Sequence, residues 1–214
     1  MAEAALLPAG TPLSAKRFLH LGERAAVDQA LSRLAGGGHL LRAARGLYLR
    51  PVETRFGLSA PGLEATLKAL ELETGEVIVP AGAAAANRLG LTTEVPVPSV
   101  YLTSGRSRQL ALGAQVIELR HAPRWQLVLP RRPAGDVVRA LAWLGRQRGA
   151  KVALHLARTV PADIVQELSA VRRLLPTWLA QDVSNLVVVS AKRETWRGGG
   201  VRDWAVTDVE SWPD

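Results

Sequence analysis

The side chains best suited to recognition chemistry fall between Arg24 and Arg50. In Arg24 to Leu34, RAAVDQALSRL, the residues Ala26, Val27, Ala30, Leu31 and Leu34 recur at spacings of three and four. That period predicts a helix with one buried stripe. The opposite face then carries Ala25, Gln29, Ser32 and Arg33. A Gln amide there can pair with an adenine edge, and a guanidinium with guanine or phosphate. Arg24 and Asp28 flank this face four residues apart, a spacing that equally allows a structural salt link worth about 0.2–0.5 kcal/mol. Arg42, Arg45 and Arg50 follow on what reads as a basic hairpin, from which arginines can reach phosphates or a narrow minor groove.

A second candidate is Thr103-Ser104-Gly105-Arg106-Ser107-Arg108. Hydroxyls, backbone amides and two guanidinium groups can converge there on a phosphate or on RNA, with Ser104, Arg106 and Arg108 as the contacts. A solvated hairpin turn has the same composition. His121-Ala122-Pro123-Arg124 sets a potential base beside a cation, but no Ser, Asp or Glu in the local sequence completes a nucleophile-base set. The glycines lack the GxGxxG and GxxxxGK spacings that cradle nucleotide phosphates. There is no Cys, and the four His have no HxxxH or HxH spacing. Disulfides, thiolate zinc sites and cysteine nucleophiles are thereby excluded. The expectation is a protein that is not an enzyme and carries no cofactor or metal.

The elements that must position these residues can be read on either side of them. Leu21-Gly22 reads as a turn after a short helix whose core side is Ala15, Phe18 and Leu19. Gly36-Gly37-Gly38 ends the next helix, and His39 to Ala43 and Leu47 to Arg50 read as strands around Ala44-Arg45-Gly46. Leu41, Leu47 and Leu49 are expected to share the hairpin faces with the helix stripe. Short helix, turn, helix, basic hairpin is the order of a winged helix-turn-helix; a helical hairpin with a β-ribbon and ordinary surface arginines is the plainer reading. Val52 to Gly62 has turn residues without periodicity and reads as a linker. Beyond it come a helix over Glu64 to Glu73 with Leu63, Leu67, Leu70 and Leu72 on its apolar side, a strand at Val77 to Val79, and an Ala-rich helix over Ala81 to Leu89. Strands follow at 100–103, 109–112 and 116–120, then helices over 137–147, 150–157 and 162–175, and a helical turn at Pro176 to Leu179. Asn185 to Ser190 reads as a hydrophobic strand.

The fold class expected is α+β, with an N-terminal winged helix-turn-helix over 1–53, a mixed α/β domain over 61–184, and a strand with a Trp-rich tail over 185–214. All six Trp lie beyond residue 124. A tail carrying Trp196, Trp204 and Trp212 can dock on a partner or on its own neighbouring domain.

The net charge of +8 favours a polyanionic partner. Its distribution is uneven: residues 1–51 hold seven basic against three acidic residues, 52–125 seven against seven, and 126–214 thirteen against nine. No run of apolar residues is long enough to span a bilayer, and MAEAALLPAG lacks the basic start of a secretory signal. A soluble, cytoplasmic protein with no membrane partner is expected.

The chain resembles the AbiEi-type antitoxin family of type IV toxin-antitoxin (abortive infection) systems. The resemblance is carried by Phe18, Leu21-Gly22 and AVDQALSRL (26–34), by RGLY (45–48) ahead of Pro51, and by VPAGAAAANRLGLTTEVP (79–96). VYLTSGRSR (100–108), IELRHAPR (117–124) and Leu175-Pro176-Thr177-Trp178 complete it. The chain departs from the family pattern in offering only Ala2 to Leu7, before Pro8 and Gly10, for the first helix. The resemblance implies a transcriptional autorepressor whose winged helix binds double-stranded DNA at its own promoter. Carried over by position, the DNA-binding residues are Arg24, Ala25, Gln29, Ser32, Arg33, Arg42 and Arg45. It further implies that the C-terminal domain antagonises a nucleotidyltransferase-like toxin encoded beside it, without a stable complex. A homodimer or cooperative DNA binding would pair the recognition helices. An RNA-binding or nucleotide-processing regulator, or a winged-helix transcription factor not linked to a toxin, stays open as the alternative.

Overall fold

The computed structural model describes residues 6–55, 57–93 and 99–198, with side chains described to residue 193. These residues form a mixed α+β structure with six α-helices and three sheets among the described residues. Strand β1 (Pro12–Leu13), a 3-10 turn (Ala15–Phe18), helix α1 (Arg24–Gly36) and strands β2 (Leu41–Ala44) and β3 (Leu47–Leu49) come first. The strands make an antiparallel sheet in the order β1-β3-β2. Val27 and Leu31 of α1 are buried with Leu13, Ala15, Phe18, Leu40 and Tyr48, and Leu34 packs at the edge of this cluster. The predicted stripe is therefore present but narrower, since Ala26 is exposed. Leu19 is also displaced from the predicted core and is 48% exposed. The preceding helix is a single 3-10 turn that ends at Phe18, so Leu19 falls outside the inward-facing repeat.

The segment expected as a linker instead contains a small antiparallel hairpin of β4 (Val52–Thr54) and β5 (Gly57–Ser59). Helix α2 (Leu63–Thr74), β6 (Ile78–Pro80), α3 (Gly82–Arg88), β7 (Ser99–Thr103), β8 (Arg108–Leu112) and β9 (Gln115–His121) follow. Their four-stranded sheet runs β6-β7-β9-β8, with β7 and β9 parallel and the other pairs antiparallel. Leu67 and Leu70 of α2 are buried, whereas Leu72, expected on the same side, is 80% exposed. Three, four and seven are helix-face spacings; five, from Leu67 to Leu72, is not.

The remainder is helical: α4 (Pro133–Thr159), α5 (Ala162–Val171) and α6 (Thr177–Gly198). Helix α4 is interrupted at Gly145, whose φ of 72° and ψ of 177° suit a residue without Cβ. The break thus falls inside the first of the two helices read from the sequence, 137–147, and the helix runs on through the gap expected at 148–149. The predicted strand at Asn185 to Ser190 is a correction, because this stretch continues α6. Leu179, Val183, Leu186 and Ser190 are buried at spacings of four, three and four against α4 and α5, while Val188 is 52% exposed. Packing on a helical period outweighs the strand preference of the Val-Val-Val run. Trp204 and Trp212 lie outside the described residues, as does the side chain of Trp196.

One contact joins the first sheet to the second. Leu49 and Ala43 are buried with Leu67 and Leu70 of α2 and with Leu110, Leu112, Ile117 and Leu119 of β8 and β9, and Leu41, Ala44 and Leu47 pack around them. The three hairpin leucines thus face away from α1, contrary to expectation; Tyr48 alone of β3 joins the α1 cluster. Strand alternation explains the split, since Leu47 and Leu49 share one face and Tyr48 takes the other. Arg17 adds an ion pair to Glu73 of α2 at 3.1 Å.

Leu49→Ala is expected to lower the unfolding free energy by about 2–5 kcal/mol. Because every tryptophan lies beyond residue 124, urea melts followed by tryptophan fluorescence and by circular dichroism should shift together. A fluorescence midpoint that stays at the wild-type value while the other moves would show the two sheets to be independent.

Candidate nucleic-acid interface

Burial of Val27 and Leu31 fixes the rotation of α1. At 3.6 residues per turn this turns Gln29 directly away from the core, with Arg33 about 40° to one side of it and Ala25 and Ser32 about 40–60° to the other. All four are exposed. Arg24 and Asp28 occupy the other flank, with Arg24 Nε 3.8 Å from Asp28 Oδ2 and both side chains open to solvent. The structural salt link weighed from the spacing is present, in a loose form that leaves the Arg24 guanidinium donors available.

The hairpin sets its arginines by register. Arg42 is opposite Tyr48 on the face toward α1, and Leu41 is opposite Leu49 on the face toward β8; a bulge between Arg42 and Ala44 then brings Ala44 opposite Leu47. Arg42 and Arg45 are exposed. Arg50, expected in solvent, is half-buried and its Nη1 donates to the Leu7 carbonyl. It belongs to the scaffold rather than to the interface.

Between α1, the hairpin and the C-terminal end of α2 lies an open cleft of about 750 Å³. Arg24 and Asp28 line one wall, Arg42 and Arg45 another, and Leu70, Thr74, Glu76 and Arg108 the side formed by the second sheet unit. The cleft brings two groups of sequence candidates together: the helix and hairpin arginines, and Arg108 from the 103–108 loop.

That loop is organised around an internal anion. Arg108 Nη2 is 2.7 Å from Glu76 Oε2 and Nη1 is 3.2 Å from Oε1, a forked pair, and Thr103 Oγ1 donates to Oε2 at 2.9 Å. Ser104 Oγ accepts the Val77 N–H at 2.9 Å, Ser107 Oγ accepts the His121 N–H at 2.9 Å, and His121 Nδ1 lies 2.8 Å from the Gly105 carbonyl. Arg108 Nη1 also donates to the Arg106 carbonyl at 3.0 Å. Of the three candidate anion contacts, Arg108 is committed to Glu76, Ser104 fastens β6 through its hydroxyl, and Arg106 is exposed. His121 holds the loop to the end of β9. Glu76 was not legible as a site residue: a single Glu ahead of a strand has no spacing that marks it, and its partner is 32 positions away.

Gly105 makes the arrangement possible. A Cβ there would fall 2.1 Å from Glu76 Cδ, so only glycine lets the carboxylate lie over the loop backbone. Among the described residues no cluster of His, Cys, Asp or Glu could hold a metal ion. No helix among them is long and apolar enough to cross a membrane.

The fold and the cleft define an α+β protein with a small helix-and-hairpin unit fused to a four-stranded sheet and a helical C-terminal part. The chain belongs to DUF6088, a family of unknown function whose profile matches residues 5–163. The match takes in all three sheets and the whole of α4. No curated protein and no solved structure matches the chain significantly.

Gly105→Ala is expected to expel the Glu76 carboxylate and cost about 1–3 kcal/mol of stability. Glu76→Ala removes the same interactions, so the double variant should be less destabilised than the two single costs added together. Thermal or urea denaturation of the four proteins measures this; strict additivity would detach Gly105 from Glu76.

Proposed function

We propose that the protein is a DNA-binding transcriptional regulator that reads duplex DNA with the exposed face of α1 and steadies itself with the β2–β3 hairpin. The observation that carries this reading is the pairing of an α1 face with Gln29, Ser32 and Arg33 in solvent and a neighbouring hairpin whose Arg42 and Arg45 are also in solvent. The order β1, 3-10 turn, α1, β2, β3, with β3 between β1 and β2, supports a winged helix-turn-helix in which the first helix of the pair is reduced to one turn. A helix of this kind enters the major groove, where Gln29 and Arg33 find base edges. The hairpin arginines meet phosphate or the minor groove.

The particular role proposed is that of an autorepressor and antitoxin of a type IV toxin-antitoxin system, antagonising a nucleotidyltransferase-like toxin without a stable complex. Support for this part comes from the resemblance of the blocks at 79–96, 100–108 and 117–124. In the fold these blocks form much of β6, α3, β7 and β9, behind the DNA-reading unit. Antagonism is accordingly assigned to the second sheet unit and repression to the first.

Fluorescence anisotropy with the DNA upstream of the protein's own gene tests the first part. Gln29→Ala and Arg33→Ala should each cost about 1–3 kcal/mol of specific binding and relax preference at one base position. Arg45→Ala should weaken specific and non-specific DNA alike and lower the salt slope by about one. Equal binding by wild type and all three variants would refute the assignment. Growth rescue on co-expression with the product of the adjacent gene tests the second part, and rescue should survive Gln29→Ala.

A further inference from the structure

The second half of α4 carries a basic solvent face far from the cleft in sequence and in use. From residue 137 to 162 the chain holds no Asp or Glu. Past the break at Gly145, the residues Arg148, Lys151, His155 and Arg158 recur at spacings of three, four and three, and all four are exposed. On a helix they share an arc of about 80° and a length of about 15 Å. None of them forms an ion pair among the described residues. The carboxylates of the packed helices are placed elsewhere. Glu167 of α5 holds Arg132, which also feels Asp163, and Asp182 of α6 is buried toward Gly149 on the core side of α4. Leu154, 46% exposed, borders the basic arc one turn from both Lys151 and Arg158.

The complement to this face is the end of the chain. Residues 199–214 lie outside the described residues, and their sequence, GGVRDWAVTDVESWPD, sets Asp203, Asp208, Glu210 and Asp214 against Arg202 alone, in a chain whose net charge is +8. The two meet at one end of the stripe. Ser190 Oγ of α6 donates to the Ala157 carbonyl at 2.9 Å, and Arg193 donates to the carbonyls of Arg158 and Val160. Helix α6 therefore reaches the Arg158 end of the stripe before it runs on to Gly198. We propose that residues 201–214 double back over α4, with Asp203 at Arg158, Trp204 over Leu154, and Asp208 and Glu210 at Lys151 and Arg148. An extended chain spans about 3.3–3.6 Å per residue, so the stretch from Asp203 to Glu210 covers the length of the stripe. The run Gly198-Gly199-Gly200 permits the reversal. Leu154 and the aliphatic stems of Lys151 and Arg158 give the indole an apolar seat, and a cation beside its face adds to the attraction. Arg146 already makes such a contact with Trp178, 6.0 Å from the ring centroid. A phosphate backbone would meet the same cations without using Leu154, and a tethered segment has the advantage of its effective concentration. The docked tail withholds the stripe from other polyanions, and this inference does not rest on the DNA-binding reading.

The chain has no Cys, so paired cysteines in the full chain report where the tail sits. Gln147→Cys with Ser211→Cys should be joined within one molecule by a short bismaleimide at low salt. Ala111→Cys, exposed on β8, with Ser211→Cys should not. Lys151→Glu with Arg158→Glu should cut the first yield about fivefold or more, and adding Asp208→Lys and Glu210→Lys should restore it. Gln147, Lys151 and Arg158 are all exposed, so circular dichroism of the variants should match wild type. Equal yields from Gln147→Cys and Ala111→Cys would overturn the seat on α4, and a yield indifferent to the charge reversals would overturn its electrostatic basis. Cross-links found only between molecules would place the tail on a second copy and overturn docking in cis. Binding of a random-sequence duplex by the full chain that is lost on Lys151→Glu with Arg158→Glu, while the cross-link persists, would assign the stripe to nucleic acid instead.

Discussion

The burial of the β2–β3 hairpin on both faces is the constraint on which the rest of the molecule depends. One face gives Tyr48 to the α1 cluster, and the other gives Ala43 and Leu49 to the cluster under β8 and α2. A two-stranded ribbon alone is at best marginally stable in water. Here each face removes apolar surface from water, at roughly 25 cal/mol per Å², and the exposed arginines project from a strand pair that has no free side on which to tilt. The bulge between Arg42 and Ala44 serves the same end. By adding a residue it lets Ala43 and Ala44 both join the inward cluster while Arg42 remains on the side of α1. Helix α1, the hairpin and the four-stranded sheet thereby become a single positioned unit.

A second constraint organises the helical part. Arg139 is 1% exposed, and its guanidinium contacts Asp136 Oδ1 at 2.7 Å and the Val128 carbonyl at 3.3 Å. Burial pulls its pKa below the usual arginine value, and the bond from Asp136 opposes that pull. The same Asp136 oxygen accepts Arg88 Nη2 from α3 at 2.8 Å. One carboxylate therefore joins α3 to α4 while the buried guanidinium secures the loop before α4, in which Leu129 and Arg131 adopt positive φ. Removing one partner of such a pair leaves a buried charge, which is why its disruption costs more than its formation contributes. The conformation of the loop follows from the charge: backbone carbonyls are drawn inward to solvate it.

Local periodicity made the elements legible and left their assembly unread. The α1 stripe, α2, the strand order along 100–120 and the helical character of 133–171 follow from apolar spacing and glycine placement, which are properties of neighbours in sequence. The direction in which Leu47 and Leu49 point is not such a property. Alternation says only that they share a face, and either the α1 cluster or the second sheet satisfies it. The helical run through Asn185 to Ser190 was hidden for a related reason: three consecutive valines carry a strand preference, and only the surfaces of α4 and α5 decide in favour of the helix. In the candidate interface, the exposure of Gln29, Ser32 and Arg33 was legible because a helix period defines an outer face by subtraction. Glu76 was not, since its meaning depends on Thr103 and Arg108, which reach it from the ends of β7 and β8.

The packing also determines how a change of charge in the cleft would be felt elsewhere. A ligand shifts a conformational equilibrium only by its differential affinity for two arrangements. A hairpin buried on both faces, with Arg17 tied to Glu73 beneath it, has no evident second arrangement of comparable energy, because moving it would expose Leu49 and Ala43 together. Coupling between the cleft and the α1 surface must therefore run through shared residues and shared charge rather than through a hinge. Arg42 and Arg45 stand at the boundary of both surfaces. An anion that neutralises them lowers the local positive potential on both surfaces, and that effect declines with ionic strength over a Debye length of about 8 Å at physiological salt. In a rigid unit that shares its cations between two surfaces, charge placed on one is felt at the other, with a sign that follows from Coulomb's law alone.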